Sequence, residues 1–304
     1  MRTVTQLKNF YGTLTNNPDT NNLAFGLQLM NDDIRRVCAD KGRNWDFLEG
    51  STTFATVAST QFYALPYNYD TLIDITVTVG TTVYTPKEAP NRQFWDNLNA
   101  TVGYTSNTPE YFYIYGGQIG IYPVPSSANT VTVNYKITIP DLSVDDYATG
   151  TITTATKGST AIVLNGSSLT KSMIGRMFQI ASSNTYVNDG DNAWYEIADV
   201  PTATTLTLAS AYQGHSIAAG GATYTIAQIP IIPEAYQDMP AYEATAQFYG
   251  FIKPDATRSA NAKAKADELY EMLVNDHDSK TTDPVVHDAE PVVLNNPNMF
   301  ITGP

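Results

Sequence analysis

Chemistry-bearing residues are scarce in this chain. A single cysteine, Cys38, excludes an internal disulfide framework, and it falls on the apolar side of an expected helix, where it reads as a small core residue. Of the three histidines, His215 lies in a Gly-rich loop and His277 and His287 lie in or beside the tail, so no zinc-ligand spacing results. No HExxH, phosphate-loop or GxSxG pattern occurs. The adjacent carboxylates Asp145 and Asp146 point apart on a strand or lie in a solvated turn, which is not the opposed pair that glycoside hydrolysis needs. No enzyme and no cofactor are expected.

Cations are short as well: 17 Lys and Arg against 30 Asp and Glu leave a formal charge of -13. Affinity for phosphate comes mostly from clustered Lys and Arg, so nucleic acid should slide past such a surface without being held. No apolar run is long enough to cross a bilayer, and the opening MRTVTQLKNFYGTL has neither the apolar region nor the cleavage site of a secretory leader. These absences predict a soluble protein made in a cytoplasm, with no membrane partner. At 304 residues the chain can still bury roughly three quarters of its unfolded surface.

What is present begins with helices. Val4, Leu7 and Tyr11 keep helical spacing until Asn16-Asn17-Pro18-Asp19 breaks it. Thr20 or Asn21 then caps a longer helix, expected over 20–41, with Leu23, Leu27, Met30, Ile34, Val37 and Cys38 inward and Asn31, Asp32, Arg35 and Arg36 outward. Trp45, Phe47 and Leu48 form an aromatic core anchor after it. The period then changes to two over 54–57, 61–66, 72–79 and 82–85, giving short antiparallel strands. Phe94, Trp95 and Leu98 predict a brief helix within 87–98.

The middle of this region is PEYFYIYGGQIGIYPVP. Gly116-Gly117 supplies the positive φ of a two-residue turn, and the flanking alternation puts Tyr111, Tyr113 and Tyr115 on one face and Phe112 and Ile114 on the other. Both faces are apolar enough to be covered, which predicts a hairpin inside the fold and not on its rim. TVTVNYKITI, 130–139, reads as the next strand of the same sheet.

The order of these parts carries a resemblance. A helix ending in the WxFL landing, a strand closing with YALP and a tyrosine-rich turn, a short FW helix, the PEYFYIYGGQIGIYPVP hairpin and a strand ending NYKITIPDLS together resemble tailed-bacteriophage head-to-tail adaptor (connector) proteins. The likeness covers 22–143 and, with the later helices, 233–275.

After the acidic seam 141–146 the composition shifts to Thr, Ala, Ser and Gly, with six short strand patterns up to 226. A small barrel or sandwich closes such strands without exposed edges. This stretch is similar to β-modules inserted in phage structural proteins. Asp189 and Asp191, two apart beside a glycine, are similar to a calcium loop but lack the distal bidentate glutamate, so a polar hairpin turn is the reading. Helical spacing returns at Ala235, Met239, Tyr242, Ala246 and Tyr249, and again over 255–275, where Lys263 and Asp267 stand one turn apart. The Ala-rich last helix suits packing against a neighbour, or a solvated terminus. The Pro-punctuated tail reads as an extended docking arm, offering Val285, Val286, Val292, Val293, Leu294, Met299 and Phe300, or as plain disorder.

The fold class expected is α+β: a helical framework with antiparallel hairpins over 1–147, an inserted all-β domain over 148–232, completing helices over 233–276 and an arm over 277–304. The resemblance implies a structural ring of twelve copies at the head–tail junction of a virion. It would be assembled in the host cytoplasm, would bind the portal protein and the next tail component, and would leave an axial passage for the genome. Arg35, Arg36, Lys263, Asp267 and the arm residues are the expected subunit and portal contacts. Two other readings stand: another tail part such as a tube, terminator or fibre-base protein, and a carbohydrate-binding module using Trp194, Tyr195, Tyr212 and Tyr224.

Overall fold

The computed structural model describes residues 1–40, 42–100, 104–181, 190–218 and 221–278. Helix α1 (Val4–Thr15) starts with a reciprocal cap in which Thr3 Oγ1 accepts from the Gln6 N–H and the Gln6 side chain accepts from the Thr3 N–H. Helix α2 (Thr20–Cys38) is capped by Asp19, not by Thr20 or Asn21, and it ends before the expected 41. Asp19 wins because its carboxylate accepts from the N–H groups of both Asn21 and Asn22, where the helix dipole favours negative charge. Trp45 is buried behind α2, its indole donating to the Val37 carbonyl at 2.9 Å.

The strands that follow are β1 (Glu49–Ala55), β2 (Phe62–Ala64), β3 (Tyr69–Val79), β4 (Thr82–Tyr84) and β5 (Lys87–Glu88). Helix α3 (Arg92–Leu98) is shorter than the predicted 87–98 segment, because Lys87 and Glu88 pair with the hairpin and Asn91 caps the helix after Pro90. The hairpin itself is β6 (Tyr111–Tyr115) and β7 (Gln118–Tyr122), turning at Gly116 and Gly117 with φ of 60° and 74°.

Strand β8 (Thr130–Ile137) departs from expectation. It does not extend the hairpin; it pairs with β1 and β3 in a separate sheet of order β1-β8-β3-β4. The hairpin's two free edges are occupied by β2 and by the parallel β5, giving the order β2-β7-β6-β5. Pro123 and Pro125 cannot donate to a ladder and carry the chain across to the other sheet. The two sheets face each other, with Phe112, Ile119 and Ile121 packed on Ile75, Val131 and Val133. On the hairpin's other face Trp95 stacks on Tyr113 at 5.7 Å and Phe94 meets Tyr111 edge-on. Cover is incomplete, however: Tyr115 at the turn is exposed, so that end of the hairpin does reach the rim.

Strands β9 (Thr151–Ala155), β10 (Ala161–Asn165), β11 (Met177–Ile180), β12 (Trp194–Thr202), β13 (Thr205–Leu208) and β14 (Tyr224–Ala227) make a six-stranded sheet of order β14-β11-β12-β13-β10-β9. Bridges from Ile152 to Ala222 and from Ala155 to Ile217 draw its two ends together, removing open pairing edges. Ile162, Phe178, Ile197, Tyr212 and Tyr224 fill it.

The chain then returns to the first helices. Helix α4 (Met239–Gln247) tolerates Pro240 because a first-turn residue needs no intrahelical donor, and a π-helical turn, Phe248–Ile252, leads to α5 (Ala256–His277). Leu7, Tyr11, Met30, Ile34, Trp45, Met239, Ala244, Tyr249 and Leu273 form one core, so segments more than two hundred residues apart complete a single bundle. Helix α5 continues past the expected 275, and the Asp278 carboxylate accepts from Arg43 and from the Asn44 N–H. The last helix therefore runs to His277, and Asp278 closes it in extended conformation against Trp45. The expected arm residues Val285, Val286, Val292, Val293, Leu294, Met299 and Phe300 lie outside the described residues, as does Asp189.

Candidate assembly surfaces

The four charged residues expected to face a neighbour all have partners within the chain. Arg35 grips Asp141 with Nε and Nη2 at 2.9 and 2.6 Å and reaches Asp32 with Nη1 at 2.7 Å. This fork fastens α2 to the acidic seam. The seam is also held by Asn31, which exchanges two hydrogen bonds with the Leu142 backbone, by Lys8 on Asp145 and by the Thr3 hydroxyl donating to Asp146. In sequence 141–146 read only as a composition boundary; in the fold it joins the β-sheets to α1 and α2.

Arg36 donates to Asp33 Oδ1 at 2.5 Å. The Asp33 carboxylate is buried, and its other oxygen has no hydrogen-bond partner. Burial raises the Asp33 pKa above its ordinary 3.8, and the bond and charge of Arg36 pull it part of the way back. Lys263 sits between Glu243 at 3.0 Å and Asp267 at 2.9 Å, pinning α5 to α4. The small side chains Ala262 and Ala266 are buried, and Ala266 joins the bundle core, so the small-residue face of α5 is used within the chain. Arg35, Arg36, Lys263 and Asp267 nevertheless stay about half exposed, and exposed ion pairs of this kind are easily re-paired.

The groups that would signal chemistry are engaged elsewhere. Burial pushes the Cys38 thiol to about 12, far from a nucleophile's range. The ring of His277 rests on Asp46 at 2.9 Å, between Phe47 and Tyr236. Asp191 accepts from the Ala193 N–H and from the Tyr195 hydroxyl, as a turn residue does. Among the described residues no cluster of three His, Cys, Asp or Glu side chains is placed to hold a metal ion. Tyr195, Tyr212 and Tyr224 are buried in the six-stranded core, which leaves only Trp194 of the four candidate sugar-stacking aromatics partly at the surface. No described helix is long and apolar enough to cross a membrane.

Two apolar features missed by the pattern reading are the more informative ones. Phe251 is 82 % exposed and Ile252 59 %, at the turn between α4 and α5. At the junction of the bundle, the sheets and the six-stranded module lies a cleft of about 680 Å³, lined by Tyr67, Ile137, Leu142, Ile174, Pro230 and Ile231 among others. Phe251 lies off the stripe of Met239, Tyr242, Ala246 and Tyr249, and periodicity alone does not say that a residue off the stripe forms an exposed apolar tip.

The family model described as SU10 adaptor protein matches residues 2–156, just over half of the chain. A search of curated proteins gives no match. The matched part takes in α1, α2, both facing sheets and the acidic seam, and the bundle it starts is finished by α4 and α5. The chain belongs to the SU10 adaptor proteins, non-catalytic virion parts that act as head-to-tail connectors between the capsid and tail of tailed bacteriophages.

Proposed function

We propose that twelve copies of this chain close into a ring beneath the portal, present the next tail component with a platform, and leave an axial duct for the genome. The observation that carries this reading is the family match over 2–156, since membership implies an oligomeric ring in contact with portal and tail parts. Rotational closure needs two unlike surfaces on each subunit, and the exposed turn at Phe251 and the junction cleft are unlike surfaces. A charge of -13 fits a duct past which DNA moves without being held.

In this reading 1–147 with 233–278 forms the ring body, 148–232 is an added contact module, and the arm beyond 278 docks on the portal or an adjacent subunit after assembly in the host cytoplasm. Arg35, Arg36, Lys263 and Asp267 contribute at the subunit boundary by exchanging their present partners for those of a neighbour. The test is truncation of 281–304 in the phage. The shortened chain should fold and yet fail to join the particle; infectious virions carrying it would remove the arm from the account.

A further inference from the structure

The exposed tip and the junction cleft stand at opposite ends of the same pair of helices. The N-terminal ends of α1 and α4 lie together, since the Val4 N–H donates to the Gln228 carbonyl and Arg2 pairs with Asp238; Met1, Gln228 and Gln237 there also line the cleft. Their C-terminal ends also lie together, where the Tyr249 hydroxyl donates to the Thr15 carbonyl at 3.1 Å, and the tip follows directly. From Met239 to Ile252 the helical rise amounts to about 20 Å, so tip and cleft of one copy do not meet. Two complementary apolar features held apart on a rigid element are what a head-to-tail contact requires.

Charge complements shape. Arg176 and Glu196 stand in the cleft wall, and among the described residues neither forms an ion pair; nor does Lys253, next to the tip. The tip also ends a helix: the Lys253 and Asp255 N–H groups close on the Phe248 and Tyr249 carbonyls, and Pro254 has no N–H to offer the carbonyl of Gly250 that follows them. A guanidinium satisfies such carbonyls, and the positive charge is favoured at that end of the dipole.

We propose that Phe251 and Ile252 of one copy seat in the cleft of the next copy around the ring, with Lys253 against Glu196 and Arg176 against the carbonyls of the tip. This contact rests on the ring reading above and specifies its subunit boundary. Burying a Phe and an Ile that are otherwise wet contributes the apolar part of the association, and the charges set its register.

The test uses the full chain with Ile174→Cys and Ile252→Cys together, oxidised mildly after rings have been confirmed by electron microscopy. Native Cys38 is buried, so the background is low. A reductant-sensitive ladder of linked copies is expected from the double variant, and only monomers from each single variant or from Ile252→Cys paired with Val83→Cys. Rings without a ladder overturn the tip-in-cleft contact and leave the ring standing. Failure to form rings either alone or with portal overturns both readings. Phe251→Asp, a change at an exposed site, should keep the circular dichroism of the parent and lose at least tenfold in ring affinity; unchanged ring assembly would also contradict the contact.

Discussion

The ring of Tyr11 lies so close over Gly26 that a Cβ on Gly26 would fall 2.2 Å from Tyr11 Cε1. Tyr11 has no room to retreat, being fully buried and bonded through its hydroxyl to Asn22 at 3.3 Å. In an open helix Gly→Ala is stabilising by about 1 kcal/mol, so the sign of the effect is diagnostic. Gly26→Ala should instead destabilise the bundle by roughly 2 kcal/mol through overpacking. A denaturant titration followed by helical circular dichroism measures it, and a raised midpoint would show that α1 and α2 do not cross there.

Trp45 is the next point of leverage. It fills the space behind α2, packs on Phe47 and Tyr270, and donates to Val37. Trp45→Ala should cost about 3–5 kcal/mol, as a large buried cavity does. Trp45→Phe keeps part of the volume and loses the donor, and its loss should be clearly smaller. Equal losses would mean that the indole hydrogen bond, and not packing, dominates.

Asp33 should give the bundle a pH signature. Its folded pKa is raised, so the contribution of this carboxyl is fully present below 3.8 and is lost as pH rises through the folded value. Asp33→Asn removes the titration. The melting temperature of the parent, taken relative to the Asn variant, should fall as pH climbs from 3.8 and then level off. A parent that gains on the variant over the same range would mean that Arg36 more than compensates for burial.

Calcium should have no purchase on the module between β11 and β12. Both Asp191 oxygens already accept protein hydrogen bonds, and they do so at a turn. Adding calcium or a chelator should leave the thermal unfolding of the intact chain unchanged. A calcium-dependent rise in melting temperature would reinstate the ion site.

How far the sequence revealed this structure depends on whether the signal is local. Gly116-Gly117 between alternating aromatics announced the hairpin, because turn chemistry and side-chain period are properties of neighbours. The partner of β8 was not readable: clean alternation says that a strand has an inner face, not which edge it joins. The cap of α2 was displaced by one residue, within the usual ambiguity of a polar run, since Asp19, Thr20 and Asn21 all cap well. Arg35 and Arg36 were legible as an outward charged face, and Asp33 lies within one turn of Arg36, whereas the burial of Asp33 and the grip of Arg35 on Asp141 depend on how distant segments meet. Phe251 falls outside the stripe of Met239, Tyr242, Ala246 and Tyr249, and local spacing alone does not say whether such a residue ends in solvent.

The central claim is that these surfaces serve a closed circle of copies joining head to tail. Native mass spectrometry of the full chain, alone and mixed with its portal, tests it most directly. The account predicts a single portal-bound species carrying one ring of the chain, twelve copies for a matched symmetry. A chain that stays monomeric and leaves the portal mass unchanged would contradict it.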